Sequence, residues 1–261
     1  GLGGDFGLLL GSDETLQIYF NDFVVTNSAN SFTLNEWHHA VFVRDSYGGL
    51  ITYIDGAADG SGNQSADITA NKGDLRIGSN HDNGNSNLQH EGEIDEVAFW
   101  NTELTATEVL ALYNNGTPLN AISDSGDYSS SSNLTGYWNF NEGSGTTLID
   151  QTGNINHGNI VGATWSMDVS VTNYSLSLDG VDDYVQTESK WFEGINNYYT
   201  ISSRFRINNN EAGNQAIWFH RTHYRDHGLQ YNQEENKFIY GSGAEFTGVE
   251  IGRWYDVSIV R

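Results

Sequence analysis

Three aspartates within five residues form a cluster of side chains that could bind a metal ion. Asp179, Asp182 and Asp183 stand around Gly180 and Val181. Ca²⁺ takes about six to eight oxygen ligands, and carboxylates grouped at a turn can supply several of them. The same pattern is typical of a plain Asx turn, in which an Asp side chain accepts from backbone amides. The sequence therefore predicts a candidate Ca²⁺ site at these aspartates, with the turn alone as the alternative.

A loop rich in amides and carboxylates lies between two predicted strands, at residues 79–87. Sugars bind where such hydrogen-bonding groups surround an aromatic ring. The loop's candidate ligand-binding residues are Asn80, Asp82, Asn83 and Asn85, and the candidate stacking rings are Trp218 and Tyr224. We expect the remaining tryptophans that lie in strand patterns to be structural, namely Trp37, Trp100, Trp138 and Trp254.

Composition limits the class of protein. The net charge of −23 and the pI near 4.3 argue against nucleic acid and against an anionic membrane surface as partners. No stretch approaches the roughly 20 apolar residues of a membrane span, so we expect no membrane insertion. There is no Cys, so burial rather than disulfides must hold the fold. The 30 Gly residues suit many short strands joined by tight turns.

Alternating apolar and polar residues recur along most of the chain and predict an all-β fold. Segments such as 37–44, 93–100 and 199–207 have this pattern, which is typical of antiparallel sandwiches with one buried face per sheet. One short helix is expected near 106–114. Thr105 and Glu108 have capping-box spacing, and Gly116 stands where a left-handed terminator is expected.

The chain contains a repeat that is out of phase with its length. Residues 7–44, from Gly-Leu to Trp…Val-Arg, correspond to residues 228–261, at an offset of 221 residues at the Gly and 217 at the Trp. We therefore expect residues 1–118 to be the later part of one unit and residues 132–261 the earlier part of the next, joined by a linker at 119–131. Two arrangements remain open. Either the missing halves lie outside this chain, which we favour, or the two parts complete each other as one permuted unit.

Several motifs resemble the laminin-G-like family of the concanavalin A-like lectin/glucanase superfamily. They are "NEWHHAVFVRD" (35–45), "ITYIDG" (51–56), "GDLRIGS" (73–79), "GEIDEVAFWNTELTATEVLALYNNG" (92–116), "LTGYWNFNEGSGTTLIDQTGN" (134–154) and "YSLSLDGVDDYV" (174–185). The resemblance implies a two-sheet antiparallel jelly-roll sandwich that often binds Ca²⁺ and often binds glycans. Such units recur in tandem in bacterial adhesins and marine phage virion proteins.

The carboxylates of Glu91, Glu93 and Asp95 alternate along one predicted strand. The glucanases of this fold have a similar arrangement, with two Glu around an Asp on one strand. Retaining glycosidases need a nucleophile and an acid/base about 5–5.5 Å apart. Here the third position falls on Val97 or, with a bulge, on Ala98, and neither side chain can donate a proton. The eight histidines lie in no recognised nucleophile context, and no Gly-x-Ser-x-Gly motif occurs. We therefore expect no catalytic residue.

These observations favour a non-catalytic extracellular recognition or adhesion module on a cell or virion surface. Its expected partners are glycans and neighbouring laminin-G-like units, in the same chain or in a homo-oligomer. One alternative is an accessory carbohydrate-binding module of a secreted polysaccharide hydrolase or lyase. Another is a structural spacer that binds no ligand.

Overall fold

Strands make up most of the structure. The computed structural model describes residues 6–20, 23–64, 75–79, 88–168, 173–187, 199–207, 215–220, 229–232, 237–240 and 244–247. The strands are β1 (Phe6–Leu10), β2 (Thr15–Phe20), β3 (Phe23–Ser31), β4 (His38–Arg44), β5 (Gly49–Ile54), β6 (Ala57–Asn63), β7 (Leu75–Ile77), β8 (Glu91–Trp100), β9 (Leu134–Trp138), β10 (Thr147–Leu148), β11 (Gly158–Val161), β12 (Thr164–Asp168), β13 (Asn173–Asp179), β14 (Tyr184–Thr187), β15 (Tyr199–Ile207), β16 (Gln215–His220), β17 (Leu229–Asn232), β18 (Lys237–Tyr240) and β19 (Ala244–Thr247). The one α-helix of the described residues is α1 (Ala106–Tyr113). The predicted all-β class is confirmed.

Two antiparallel sheets form the main body, within residues 1–222. Sheet I has the order β10-β11-β14-β7-β16-β1-β2-β3. Sheet II has the order β12-β13-β8-β15-β4-β5-β6, with β9 paired to β8. Apolar side chains from both sheets meet in one buried core, as in a jelly-roll sandwich. The ring of Phe99 in sheet II, for example, packs edge-on against Trp218 in sheet I, with the ring centroids 5.6 Å apart.

The two parts of the chain that the repeat separates are interleaved in both sheets. In sheet I, β1 pairs with β16 through Leu8 and Trp218. In sheet II, β8 lies between β13 and β15 and also pairs with β9. Strands from residues 1–118 and strands from residues 132–220 therefore lie side by side in one sandwich. Whether they belong to successive units of an array or form one permuted unit stays a prediction.

A second apolar cluster covers the outer face of sheet II, where α1 packs. Val109 and Leu112 of α1 are buried there with Trp100. The predicted capping box is present, since the Glu108 amide donates to the Thr105 hydroxyl and the Glu108 carboxylate accepts from the Thr105 amide. The helix ends one residue earlier than predicted.

The left-handed terminator of α1 is Asn114, with φ 45°, rather than Gly116. Asn is one of the few residues with a side chain that enters this region at modest cost, so the chain turns before it reaches the glycine. Gly116 follows with φ 84°.

The segment at 119–131, which was predicted to be a linker, packs against this second cluster. Ala121 and Tyr128 are buried in it. The Tyr128 hydroxyl accepts from the Trp100 indole N–H at 2.9 Å and donates to the Ala121 carbonyl at 2.8 Å. Ser130 donates to the Glu108 carboxylate at 2.6 Å. These few contacts could not be predicted from the sequence, because most residues of the segment are polar.

A small three-stranded antiparallel sheet, sheet III, lies within residues 223–261 and has the order β17-β18-β19. Leu229 faces Tyr240 across its first strand pair, and Tyr240 faces Ala244 across its second.

Candidate functional site

The predicted Ca²⁺ residues meet at a turn between the two sheets. β13 ends at Asp179 in sheet II, and β14 begins at Tyr184 in sheet I. One oxygen from each carboxylate of Asp179, Asp182 and Asp183 lies within 4.8 Å of the others. The side chains of Asp179 and Asp182 are exposed, whereas Asp183 is buried. A turn that crosses between sheets thus gathers three carboxylates with one side open to solvent.

Backbone hydrogen bonds hold this turn in shape. The Val181 amide donates to the Asp179 carboxylate at 2.9 Å, which is the Asx turn that the sequence left as the alternative. The Asp179 amide donates to the Asp183 carboxylate at 2.9 Å. The Asx turn therefore forms and the three carboxylates still converge, so a Ca²⁺ site at this turn stays a prediction.

Two glycines allow neighbouring chain segments to approach the turn. Gly162 connects β11 to β12 with φ 78°, and a β-carbon there would collide with the Asp183 carboxylate. Gly180 has φ 79°, and a β-carbon there would lie 3.4 Å from a carboxylate oxygen of Glu91. Glu91 faces Asp179 in the pairing of β8 with β13. A fourth carboxylate therefore borders the turn.

The electrostatics of the turn are those of a negatively charged cluster. Burial raises the pKa of Asp183 above its ordinary value, and the charges of Asp179 and Asp182 raise it further, against the lowering effect of the Asp179 amide. Within the described part of the chain, none of the three forms an ion pair. A divalent cation would relieve this repulsion, and an all-oxygen ligand set suits Ca²⁺.

The predicted glycan-binding residues fall into two groups. Asn80, Asp82, Asn83, Asn85 and Tyr224 lie outside the described residues. The described residues that flank the loop border the acidic turn. A β-carbon at Gly78 would lie 3.7 Å from the Asp183 carbonyl oxygen, and β8 begins at Glu91.

Trp218 is fully buried in the core, so the structure corrects its assignment as a stacking ring. Trp218 lies on β16, where successive side chains point to opposite faces of sheet I. Its side chain is on the face that packs against sheet II, so the ring lies in the core and not in solvent. Among the predicted structural tryptophans, Trp100 and Trp138 are buried, and Trp254 lies outside the described residues.

Trp37 was expected in the core but lies half-buried beside the outer face of sheet II. The guanidinium of Arg204 lies 4.3 Å from its ring centroid, and that of Arg206 lies 5.9 Å away. Arg206 binds the Glu93 carboxylate through two nitrogens, and Arg204 lies 3.6 Å from Asp95. The alternation of apolar and polar residues does not distinguish a Trp in the core from a Trp that stacks against arginines, because Trp occurs in both settings.

The carboxylate-rich strand β8 contains a bulge. Its register against β15 shifts between Ser202 and Arg204, and Glu96 takes the left-handed conformation with φ 53°. Val97 consequently points into the core, and Ala98 takes the next outward position. The outward series along β8 thus places an alanine where the glucanase pattern has its third carboxylate.

Two neighbouring histidines make separate polar contacts. His38 binds Asp55 through Nδ1 at 2.9 Å. His39 binds the Ser202 hydroxyl through Nε2 at 2.8 Å, and burial lowers the pKa of His39 to about 4. The carboxylate of Asp55 contacts the ring of His38 and not that of His39, so the two contacts do not line up as a Ser-His-Asp triad. The Ser202–His39 contact was missed because the two residues are far apart in sequence.

Two stacked antiparallel sheets with an acidic turn at a sheet crossing define a lectin-like β-sandwich. Residues 1–110 match the laminin-G model of the concanavalin A-like lectin/glucanases superfamily. No curated protein compared with the chain matches it. Among the described residues, no helix is both long and apolar enough to cross a membrane.

Proposed function

We propose that this chain is a non-catalytic glycan-recognition module that acts outside the cell and holds Ca²⁺ at Asp179, Asp182 and Asp183. The observation that carries the proposal is the convergence of these three carboxylates at a turn joining the two sheets. The superfamily of residues 1–110 supports a binding role, since laminin-G-like domains are generally binding modules and are typically extracellular.

Calcium suits the turn because all its ligand atoms are oxygens and because one side of the cluster is open. Asp179 and Asp182 are exposed, so a bound ion would keep coordination positions that face solvent. Ca²⁺ accepts additional oxygen ligands in flexible geometry. Hydroxyl pairs of a sugar can fill such positions, which links the metal to the glycan in one site.

The charge of the protein favours the same class of ligand. A net charge of −23 concentrates divalent cations near the surface and repels polyanions. Uncharged glycans are not repelled. We therefore propose neutral polysaccharides of a cell surface or matrix as partners, and adhesion as the role of the module in a surface or virion protein.

A non-catalytic role agrees with the state of the carboxylates on the outer face of sheet II. Glu93 is held by Arg206 and Asp95 lies against Arg204, so each is paired with a cation. The oxygens of these two carboxylates are therefore engaged by guanidinium groups.

A glycan array probed with the whole chain tests the proposal, in CaCl₂ and in EDTA. We expect binding to at least one neutral glycan class in CaCl₂, and loss of that binding in EDTA and in Asp182→Asn. Asp127→Asn is the matched control, because Asp127 is also exposed and lies outside the acidic turn.

The outcomes separate the alternatives. Binding that survives both EDTA and Asp182→Asn would place the glycan site away from the acidic turn. Absence of binding to every glycan under both conditions would favour the spacer. Asn83→Ala and Asn85→Ala, tested on the same array, examine the loop predicted from sequence.

A further inference from the structure

The connection between β3 and β4 takes the chain from sheet I to sheet II, and the ring of His38 lies at its end. His38 is only 7% exposed. Its ring packs against Phe32 of the connection and Phe205 of β15, with the ring centroids 6.1 Å and 5.9 Å away. On one side, Nδ1 lies 2.9 Å from the carboxylate of Asp55, in the turn that follows β5. The ring is therefore held in one orientation.

The other ring nitrogen of His38 meets both polar groups of one backbone residue. The Thr33 amide nitrogen lies 3.1 Å from Nε2, and the Thr33 carbonyl oxygen lies 2.9 Å from it. A nitrogen of a neutral imidazole either donates or accepts, and a nitrogen of an imidazolium only donates. The two contacts of Nε2 therefore cannot both be favourable in one protonation state.

Asp55 determines what Nε2 can do in each state. Burial raises the pKa of Asp55, but hydrogen bonds from the His38 ring and the His39 amide outweigh it and lower the pKa overall. An ionised carboxylate only accepts, so Nδ1 carries the proton of the neutral ring. Nε2 of the neutral ring then accepts from the Thr33 amide. Nε2 of the protonated ring donates to the Thr33 carbonyl instead.

We propose that His38 is a pH-dependent switch on the connection between the two sheets, which exchanges the Thr33 amide for the Thr33 carbonyl as its hydrogen-bond partner when the ring takes up a proton. The bond of the protonated ring is the stronger one because it is charge-assisted. The connection is therefore held more tightly at acid pH. It includes Trp37, so the switch acts on the segment that places this ring against Arg204. The switch is independent of the acidic turn.

Two carboxylates set the pH range of the switch, within the described part of the chain. Burial lowers the pKa of His38, and the hydrogen bond and charge of Asp55 raise it above the ordinary value, with a further contribution from the charge of Glu36. Glu36 is exposed and belongs to the connection itself. Asp55 is thus the partner whose removal should change the switch most.

The other titratable groups near His38 are neutral while it titrates, or are paired elsewhere. Burial lowers the pKa of His39, the next residue of β4, to about 4. It also lowers to about 4 the pKa of His90, which precedes β8 and packs against Phe205. Arg204, the neighbour of Phe205 on β15, lies 3.6 Å from Asp95.

NMR of the isotope-labelled whole chain tests the switch without any substitution. The scalar coupling across the hydrogen bond between the Thr33 amide nitrogen and His38 Nε2 is measured on both sides of the midpoint at which the His38 ring carbons titrate. We expect the coupling on the alkaline side and its loss on the acid side. The carbonyl carbon shift of Thr33 should change with the same midpoint, because that carbonyl becomes the acceptor.

Asp55→Asn should move this midpoint to lower pH, and Glu36→Gln should move it less. Asp127→Asn, whose carboxylate is exposed and outside the connection, should leave it unchanged. A Thr33–His38 coupling that persists after the ring has titrated would overturn the proposal. Absence of the coupling on the alkaline side would overturn it as well, since the neutral ring would then not accept from the Thr33 amide.

Discussion

Gly162 lies directly against the carboxylate of Asp183, so that a β-carbon at residue 162 would occupy the place of the carboxylate oxygen. This contact brings the connection between β11 and β12 to the acidic turn. It also means that the position of a candidate metal ligand depends on a residue that has no side chain.

Gly162→Ala is therefore expected to displace Asp183 and weaken Ca²⁺ binding, besides the cost of about 1 kcal/mol for placing Ala at positive φ. Gly153→Ala is the matched control, because Gly153 has φ 80° and no atom near its missing β-carbon. Calcium titration calorimetry compares the two variants. Equal calcium affinities would show that the glycine contact does not position the carboxylate.

Asp183→Asn is expected to raise the free energy of unfolding of the calcium-free protein at neutral pH. The pKa of Asp183 is raised in the folded state, so its ionised form is less favourable there than in the unfolded chain. The carboxyl's contribution to stability is greatest at low pH and falls as the pH rises through the interval from its ordinary pKa to its folded pKa.

Urea unfolding in EDTA at several pH values measures this difference. The difference between the wild type and Asp183→Asn should stop changing below about pH 3, where the carboxyl is largely protonated in both states. A difference that is constant with pH would contradict the raised pKa.

The His38–Asp55 pair should make stability fall with rising pH as well, but over a higher pH interval. Burial lowers the pKa of His38, but the hydrogen bond and charge of Asp55 outweigh it and raise the pKa overall. The pair therefore stabilises the fold below the ordinary His pKa, and this contribution is lost as the pH rises through the folded value.

Asp55→Asn should consequently destabilise the protein more at about pH 5.5 than at about pH 8.5, since the raised His38 pKa depends on the carboxylate. NMR titration of the His38 ring checks the pKa directly. Asp127→Asn serves as the charge control. An unchanged His38 pKa in Asp55→Asn would refute the assignment.

Tyr128→Phe should cost about 1–3 kcal/mol in the free energy of unfolding, because it leaves the buried Trp100 N–H and Ala121 carbonyl without their partner. Tyr47→Phe removes a hydroxyl from a side chain that is 89% exposed and should change stability by less than about 0.5 kcal/mol. Urea unfolding followed by tryptophan fluorescence compares the two. Equal midpoints would mean that residues 119–131 do not brace the outer face of sheet II.

Much of the fold could be predicted because it depends on local patterns. The β15 bounds were predicted from alternation as 199–207 and are confirmed, and the Thr105 cap is confirmed at the start of α1. The Asp179–Asp183 cluster was found because its members are close in sequence. Whether it binds an ion stays a prediction.

What could not be predicted depends on contacts between distant residues. The core position of Trp218 and the half-buried position of Trp37 follow from which face of a sheet each ring meets, and a single sequence does not specify that face. The neighbours of each strand in the two sheets also depend on distant contacts, because alternation identifies strands and not the strands with which they pair.

The most direct test of the central claim is the melting temperature of the whole chain in CaCl₂ and in EDTA, with MgCl₂ as the ionic control. A ligand that binds only the folded state adds about 2.7 kcal/mol of stability at a hundred times its Kd. We predict a higher melting temperature in CaCl₂ than in MgCl₂ or EDTA, with the increase lost in Asp182→Asn and kept in Asp127→Asn. A melting temperature that is the same in CaCl₂ and EDTA would contradict a calcium site at the acidic turn.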